Sequence, residues 1–112
     1  MKVESYEKEA IRILCGNEVP NSTLHQAMTN PSKLSCRFTG AGYYLDIEHI
    51  DLPEHRILCD KPTVAGEYQS REVGFIAFIE NRSICLECYG YSANGVPESI
   101  RDGVVNIHTV DE

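Results

Sequence analysis

Residues 73–79 read Val-Gly-Phe-Ile-Ala-Phe-Ile and form the longest apolar run of the chain. A short run that is apolar at successive positions is typical of a strand in the middle of a sheet. Asn81-Arg82 predicts a turn that leads into a strand over residues 83–91. Alternation along that strand predicts one face with Ile84, Leu86 and Cys88 and an opposite face with Cys85, Glu87, Tyr89 and Tyr91.

Further strands are predicted on both sides of this pair. Residues 34–38 and 43–48 alternate around Gly40-Ala41-Gly42, which predicts a hairpin. The remaining expected elements are a strand at Arg56–Cys59, a turn at Asn94-Gly95, one helical turn within Pro97–Asp102 and a last strand at Val104–Ile107.

The first 30 residues have helical periodicity instead. Between Ser5 and Cys15 the apolar residues fall at helical spacing. Thr23 and Gln26 have the spacing of a capping box, and Asn30-Pro31 ends this second helix. The sequence therefore predicts one α+β domain over residues 1–112, in which an N-terminal helical segment precedes an antiparallel sheet of five or six strands.

Composition limits the possible partners. The 112 residues carry 10 Lys and Arg against 17 Asp and Glu, a formal charge of −7. This sign disfavours nucleic acid and anionic membranes, and the longest apolar run is far shorter than the ~20 residues of a membrane helix. The polar start of the chain and its five scattered cysteines indicate a reduced cytoplasmic protein.

Cys85-Leu86-Glu87-Cys88 matches the spacing of redox and metal motifs. Redox pairs of this kind open a helix, whereas residues three apart in a strand point to opposite faces. A zinc site would also need a second ligand pair, which the sequence lacks. We therefore expect two structural cysteines, no bound metal and no cofactor.

Residues 46–55 form the most acidic part of the chain. Four carboxylates, Asp46, Glu48, Asp51 and Glu54, lie between Arg37 and Arg56, with no Lys or Arg among them. Charged runs are usually solvated, and an acidic recognition surface is the main functional alternative. Metal binding or acid–base chemistry by His49 and His55 is a further alternative.

A second candidate binding patch comprises Glu87, Tyr89 and Tyr91, which share a face of one strand. Tyrosine buries a large area and keeps a hydroxyl group for hydrogen bonding, so tyrosines beside a carboxylate suit a protein interface. A half-exposed sheet face without a partner is the alternative interpretation.

Four segments, Phe38–Tyr44, Val73–Asn81, Leu86–Tyr91 and Pro97–Asp102, together resemble small bacterial immunity proteins paired with contact-dependent growth inhibition toxins. The resemblance covers about residues 38–105. It implies a non-enzymatic cytosolic protein that binds one toxin domain, in many cases a nuclease, and blocks it by occlusion. It assigns no contact residue. Because many nuclease sites are basic, an acidic inhibitor would be attracted to them.

Two other classes of function stay open at this point. A small-ligand or regulatory module would enclose an apolar pocket lined by Tyr and Phe. A small hydrolase would use His49 or His55 with neighbouring carboxylates converging on a concave site. For the inhibitor, charge reversal at Asp46, Glu48, Asp51 and Glu54 is expected to slow association and weaken its salt dependence.

Overall fold

The computed structural model describes residues 1–91 and 95–110. Its elements are α1 (Ser5–Cys15), α2 (Asn21–Thr29), β1 (Lys33–Phe38), β2 (Gly42–Glu48), β3 (Ile57–Tyr68), β4 (Arg71–Glu80), β5 (Ser83–Gly90), a 3-10 helix (Glu98–Asp102) and β6 (Asn106–Val110). The predicted turn at Asn94-Gly95 lies partly outside the described residues, since Asn94 belongs to the gap. The predicted α+β arrangement is confirmed.

All six strands form one antiparallel sheet in the order β1-β2-β5-β4-β3-β6. β4 lies between β5 and β3, which confirms the central position predicted from its apolar sequence.

β3 is longer than the four residues predicted, because it continues through Pro62 to Tyr68. Pro62 falls where the pairing with β4 shifts register between Cys59 and Val64, and such irregularities accommodate a proline within a strand. β6 lies slightly later than predicted, at Asn106–Val110.

The hydrophobic core lies between the two helices and one face of the sheet. The central strands contribute alternate residues to it, among them Leu45, Ile79 and Leu86, all without exposed area. α1 packs mainly on β3 and β4, and α2 packs on β2. Burial of this apolar area is the main stabilising contribution to the fold.

The helix starts differ from the predicted ones. α2 begins at Asn21 after Pro20 without a side-chain cap, so the capping box predicted for Thr23 and Gln26 is wrong. A capping box is present instead at α1, where the backbone N–H of Glu4 donates to Glu7 Oε1 at 2.7 Å.

Glu7 is also the centre of a buried polar network. Arg101 of the 3-10 helix donates to both of its carboxylate oxygens, at 2.8 and 2.9 Å. The hydroxyl of Tyr43 donates to Glu7 Oε2 at 2.6 Å and accepts a hydrogen bond from Tyr6. Burial, and next the Glu7 charge, raise the pKa of Tyr43. The network ties α1, β2 and the 3-10 helix together, and the buried carboxylate is fully paired.

The described helices all lie on the core side of the sheet. None of them is long and apolar enough to cross a membrane. The opposite side of the sheet, called the open face below, is therefore not covered by a helix within residues 1–91 and 95–110. Its central positions are half-buried and alternate with the core positions on β4 and β5.

Candidate binding face

The open face presents side chains from the three central strands and their neighbours. Antiparallel pairing arranges them in cross-strand rows, in which directly opposite residues lie side by side. The central residues of the open face are Tyr44, Asp46 and Glu48 of β2, Ile76, Phe78 and Glu80 of β4, and Ser83, Cys85, Glu87 and Tyr89 of β5.

One row runs Arg37, Tyr44, Glu87 and Ile76 across four strands. The guanidinium carbon of Arg37 lies 4.9 Å from the centroid of the Tyr44 ring, within range of a cation–π interaction. The hydroxyl of Tyr44 donates to Glu87 Oε2 at 3.4 Å, a long hydrogen bond. The hydrogen-bond partner of the Glu87 carboxylate is thus an uncharged hydroxyl group.

The next row places Asp46 opposite Cys85, followed by Phe78. Burial raises the pKa of the Cys85 thiol to about 12, assisted by the charge of Asp46 and by a hydrogen bond to it. A thiol that stays protonated at neutral pH is a poor nucleophile and a poor metal ligand. Cys88 lies in the core, so the two sulfurs of the C-x-x-C motif diverge as predicted.

A shallow groove of about 300 Å³ crosses this part of the open face. Its lining residues are Asp46, Arg56, Phe78, Glu80, Asn81, Ser83 and Cys85. The Arg56 guanidinium carbon lies 5.1 Å from the Phe78 ring centroid, and its Nη1 lies 3.6 Å from Glu80 Oε1. Most of the residues that line the groove are polar and one is aromatic, which differs from the Tyr- and Phe-lined pocket expected of a small-ligand module.

Tyr89 and Tyr91 form the aromatic end of the open face. Tyr89 is paired with Gly74 of β4, and its ring occupies the space that a side chain at position 74 would fill. The Tyr91 ring meets it edge-on, with centroids 5.5 Å apart, and Tyr91 is 56% exposed. Tyr91 follows the last residue of β5 and extends this aromatic pair beyond the strand.

Asp46, Glu48 and Glu87 share a further property: none forms an ion pair with a cation among the described residues. Among the described residues, Glu7, Glu54 and Glu80 each pair with an arginine, and Asp51 Oδ2 lies 3.9 Å from His49 Nδ1. Asp46 and Glu48 are two positions apart on β2, and Glu87 lies diagonally across from Asp46 on β5. Three half-buried carboxylates that form no ion pair among the described residues therefore lie on one sheet face, in three successive cross-strand rows.

The two patches predicted from sequence are thus partly joined. Asp46, Glu48, Glu87 and Tyr89 lie on the open face, whereas Asp51 and Glu54 lie in the loop after β2. Glu54 Oε1 is 3.1 Å from Arg82 Nη2, and Arg82 also donates to the backbone oxygen of Ile50. Arg82 from the β4–β5 turn therefore places a positive charge in the acidic loop.

The two histidines do not converge on a catalytic arrangement. The ring Nδ1 of His49 accepts a hydrogen bond from the backbone N–H of Asp51 at 3.1 Å, so it stabilises the loop. His55 is exposed. In residues 1–91 and 95–110, no three His, Cys, Asp or Glu side chains are grouped closely enough to hold a metal ion.

Sequence reasoning overlooked several residues of the open face, namely Tyr44, Arg56, Ile76, Phe78 and Glu80. If the strand pairing had been known, alternation of faces starting from Glu87 would have identified the open-face residues on β4 and β2. The register of that pairing could not be predicted from the sequence. No protein-family model, curated protein or solved structure matches this chain.

Proposed function

We propose that the protein is an inhibitor of the immunity type, which binds a cognate toxin domain through the open face and neutralises it by occlusion. The observation that carries this proposal is a sheet face that no described helix covers, with an aromatic and apolar centre and three carboxylates that form no ion pair within the described part of the chain. The expected location is the bacterial cytoplasm, where the five free cysteines would stay reduced.

The apolar part of the open face supports binding of a protein. Ile76 and Phe78 are half-buried in the middle of the sheet, Leu58 beside them is 50% exposed, and the Tyr89–Tyr91 pair adjoins them. Aromatic residues surrounded by polar ones are typical of interface centres. Docking of a partner would remove their remaining exposed area from water.

The charges define the kind of partner. Within residues 1–91 and 95–110, no Lys or Arg forms an ion pair with Asp46, Glu48 or Glu87, so a partner that presents Lys or Arg would gain complementary charge. A basic surface of this kind is common in enzymes that bind phosphates, including nucleases. Since a blocking protein needs no catalytic group, the protonated Cys85 and the loop-bound His49 fit this role.

The proposal is tested by capture followed by a toxicity assay. The tagged chain is incubated with extract from its own cells, and the retained protein is identified by mass spectrometry. That protein is then produced in a host with and without this chain. Growth arrest by the partner alone and recovery on co-production are the expected results. Matched variants are Asp46→Lys/Glu87→Lys on the open face and Glu54→Lys in the loop.

The open-face variant is expected to lose both capture and protection, whereas Glu54→Lys retains them. Equal protection by the wild type and the open-face variant would show that another surface binds the toxin. A captured protein that is not toxic, or whose toxicity persists with this chain, would contradict the inhibitor function itself.

A further inference from the structure

β1 forms one edge of the sheet, and its outer side has no partner strand among residues 1–91 and 95–110. All six of its residues pair with β2 in an unbroken register. The strand contains no proline and no bulge, which are among the features that keep a sheet edge from pairing with another chain. A regular edge of this kind can accept a further strand.

Backbone hydrogen bonding determines which groups the free edge presents. The N–H of Thr39 donates to the carbonyl oxygen of Gly42 at 2.9 Å, and these two residues continue the β1–β2 register. In an antiparallel ladder, alternate residues of a strand bond to the same neighbour. The odd-numbered residues of β1 therefore bond to β2. The even-numbered residues, Leu34, Cys36 and Phe38, direct their N–H and C=O groups outward from the sheet.

The side chains at this edge are divided between the two faces. Leu34, Cys36 and Phe38 are half-buried and pack against the hydrophobic core. The exposed residues of β1 lie on the open face, where Lys33 and Arg37 give the edge a positive charge. A strand added here would extend the core with apolar side chains. It would also have to keep its own basic residues away from Lys33 and Arg37, because like charges directly opposite are destabilising.

A second copy of β1 meets these conditions in one antiparallel register. If Cys36 lies opposite Cys36 of the second copy, Leu34 lies opposite the second copy's Phe38, and Ser35 lies opposite its Arg37. Residues with outward backbone groups then face one another, so they exchange hydrogen bonds across the edge. The two neighbouring registers that keep this bonding place Arg37 opposite Lys33 or Arg37 of the second copy. Larger shifts leave Cys36 without a pairing residue in β1.

We propose that two copies of this chain associate through antiparallel pairing of their β1 strands, centred on Cys36. The two six-stranded sheets then form one continuous sheet, with both open faces on the same side. On the core side, Leu34 of each copy covers Phe38 of the other, which removes apolar area from water. Because each copy contributes one short strand, the dimer dissociates on dilution. This association does not depend on binding of a toxin.

The test measures the molar mass of the full chain by sedimentation equilibrium at micromolar to millimolar concentrations. The mass is expected to rise from that of the 12.6 kDa monomer towards twice this value. Cys36→Pro removes an outward N–H group and leaves the β1–β2 hydrogen bonds in place, so this variant is expected to remain monomeric. Cys36→Ala keeps the N–H group. It is the matched control and is expected to dimerise as the wild type does.

Ser35 provides a second variant at an exposed position. Ser35→Lys places a lysine opposite Arg37 of the second copy, and this is expected to raise the dissociation constant of the dimer about fivefold or more. Within its own chain the new lysine lies opposite Asp46 of β2, so the fold tolerates it. Circular dichroism checks the folding of each variant. If Cys36→Pro does not fold, the comparison of Ser35→Lys with the wild type decides.

Cross-linking tests the register itself. In the Cys85→Ser variant, Cys36 is the half-buried cysteine, and the others are buried. A short bifunctional thiol reagent is expected to link two copies through Cys36, since hydrogen-bonded residues directly opposite each other have Cα atoms about 5.5 Å apart. A chain that stays monomeric at every concentration, or a dimer that folded Cys36→Pro still forms, would overturn the proposal. So would dimers linked through another cysteine.

Discussion

The ring of Tyr89 lies over Gly74 of the neighbouring strand, where a Cβ atom would come within 2.4 Å of Tyr89 Cζ. The two residues are register partners in the β4–β5 pairing. An aromatic ring that covers a cross-strand glycine compensates for the missing side chain. The absence of a side chain at position 74 therefore fixes the position of the aromatic end of the open face.

Gly74→Ala is expected to displace the Tyr89 ring, because the ring tip must move to admit the new methyl group. The expected cost is about 1 kcal/mol of unfolding free energy, equal to the lost cross-strand contact. Urea unfolding of the wild type, Gly74→Ala, Tyr89→Ala and the double variant measures the coupling. We expect the double variant to be no less stable than Tyr89→Ala. If the two single variants' losses of unfolding free energy were strictly additive in the double variant, the contact would be contradicted.

Arg101→Leu is expected to destabilise the protein by about 3–5 kcal/mol, because it leaves the buried Glu7 carboxylate without its cation. The matched control is Arg56→Leu, which removes the exposed pair with Glu80 and should cost less than about 1 kcal/mol. Chemical unfolding of both variants provides the comparison. Similar small losses of unfolding free energy in Arg101→Leu and Arg56→Leu would mean that Glu7 and Arg101 do not form a buried ion pair.

Alkaline pH is expected to destabilise the wild type relative to Cys85→Ser. The thiol of the unfolded chain ionises near pH 9.0, whereas the folded thiol keeps its proton to about 12. The unfolded state therefore binds fewer protons above pH 9, so the stability contributed by this thiol is present below pH 9 and declines up to pH 12. Unfolding curves between pH 8 and 10 test this, and a constant difference between the two proteins would contradict it.

The strand pattern was largely predictable, because alternation and apolar runs report which positions face the core. The extent of β3 was not. Pro62 lacks a backbone N–H and ordinarily ends a strand, so only the shift in pairing with β4 allows the strand to continue. That shift depends on the neighbouring strand and is invisible in the local sequence.

The candidate site was predictable in its residue types but not in its arrangement. The sequence shows an acidic stretch free of Lys and Arg, yet folding brings Arg82 to Glu54, while Asp46 and Glu48 form no ion pair in the part of the chain that the structure describes. The pairing of β2 with β5 then places Glu87 beside Tyr44 and diagonally across from Asp46. Long-range pairing therefore decides which carboxylates are unpaired, and no spacing rule contains that information.

The proposed docking of a basic toxin domain on the open face is tested most directly by the association rate of the two proteins across a salt series. We expect Asp46→Lys/Glu87→Lys to slow association about tenfold or more at low salt and to flatten its salt dependence, while Glu54→Lys has a smaller effect. Association rates that are the same for the wild type and the open-face variant at every salt concentration would contradict it.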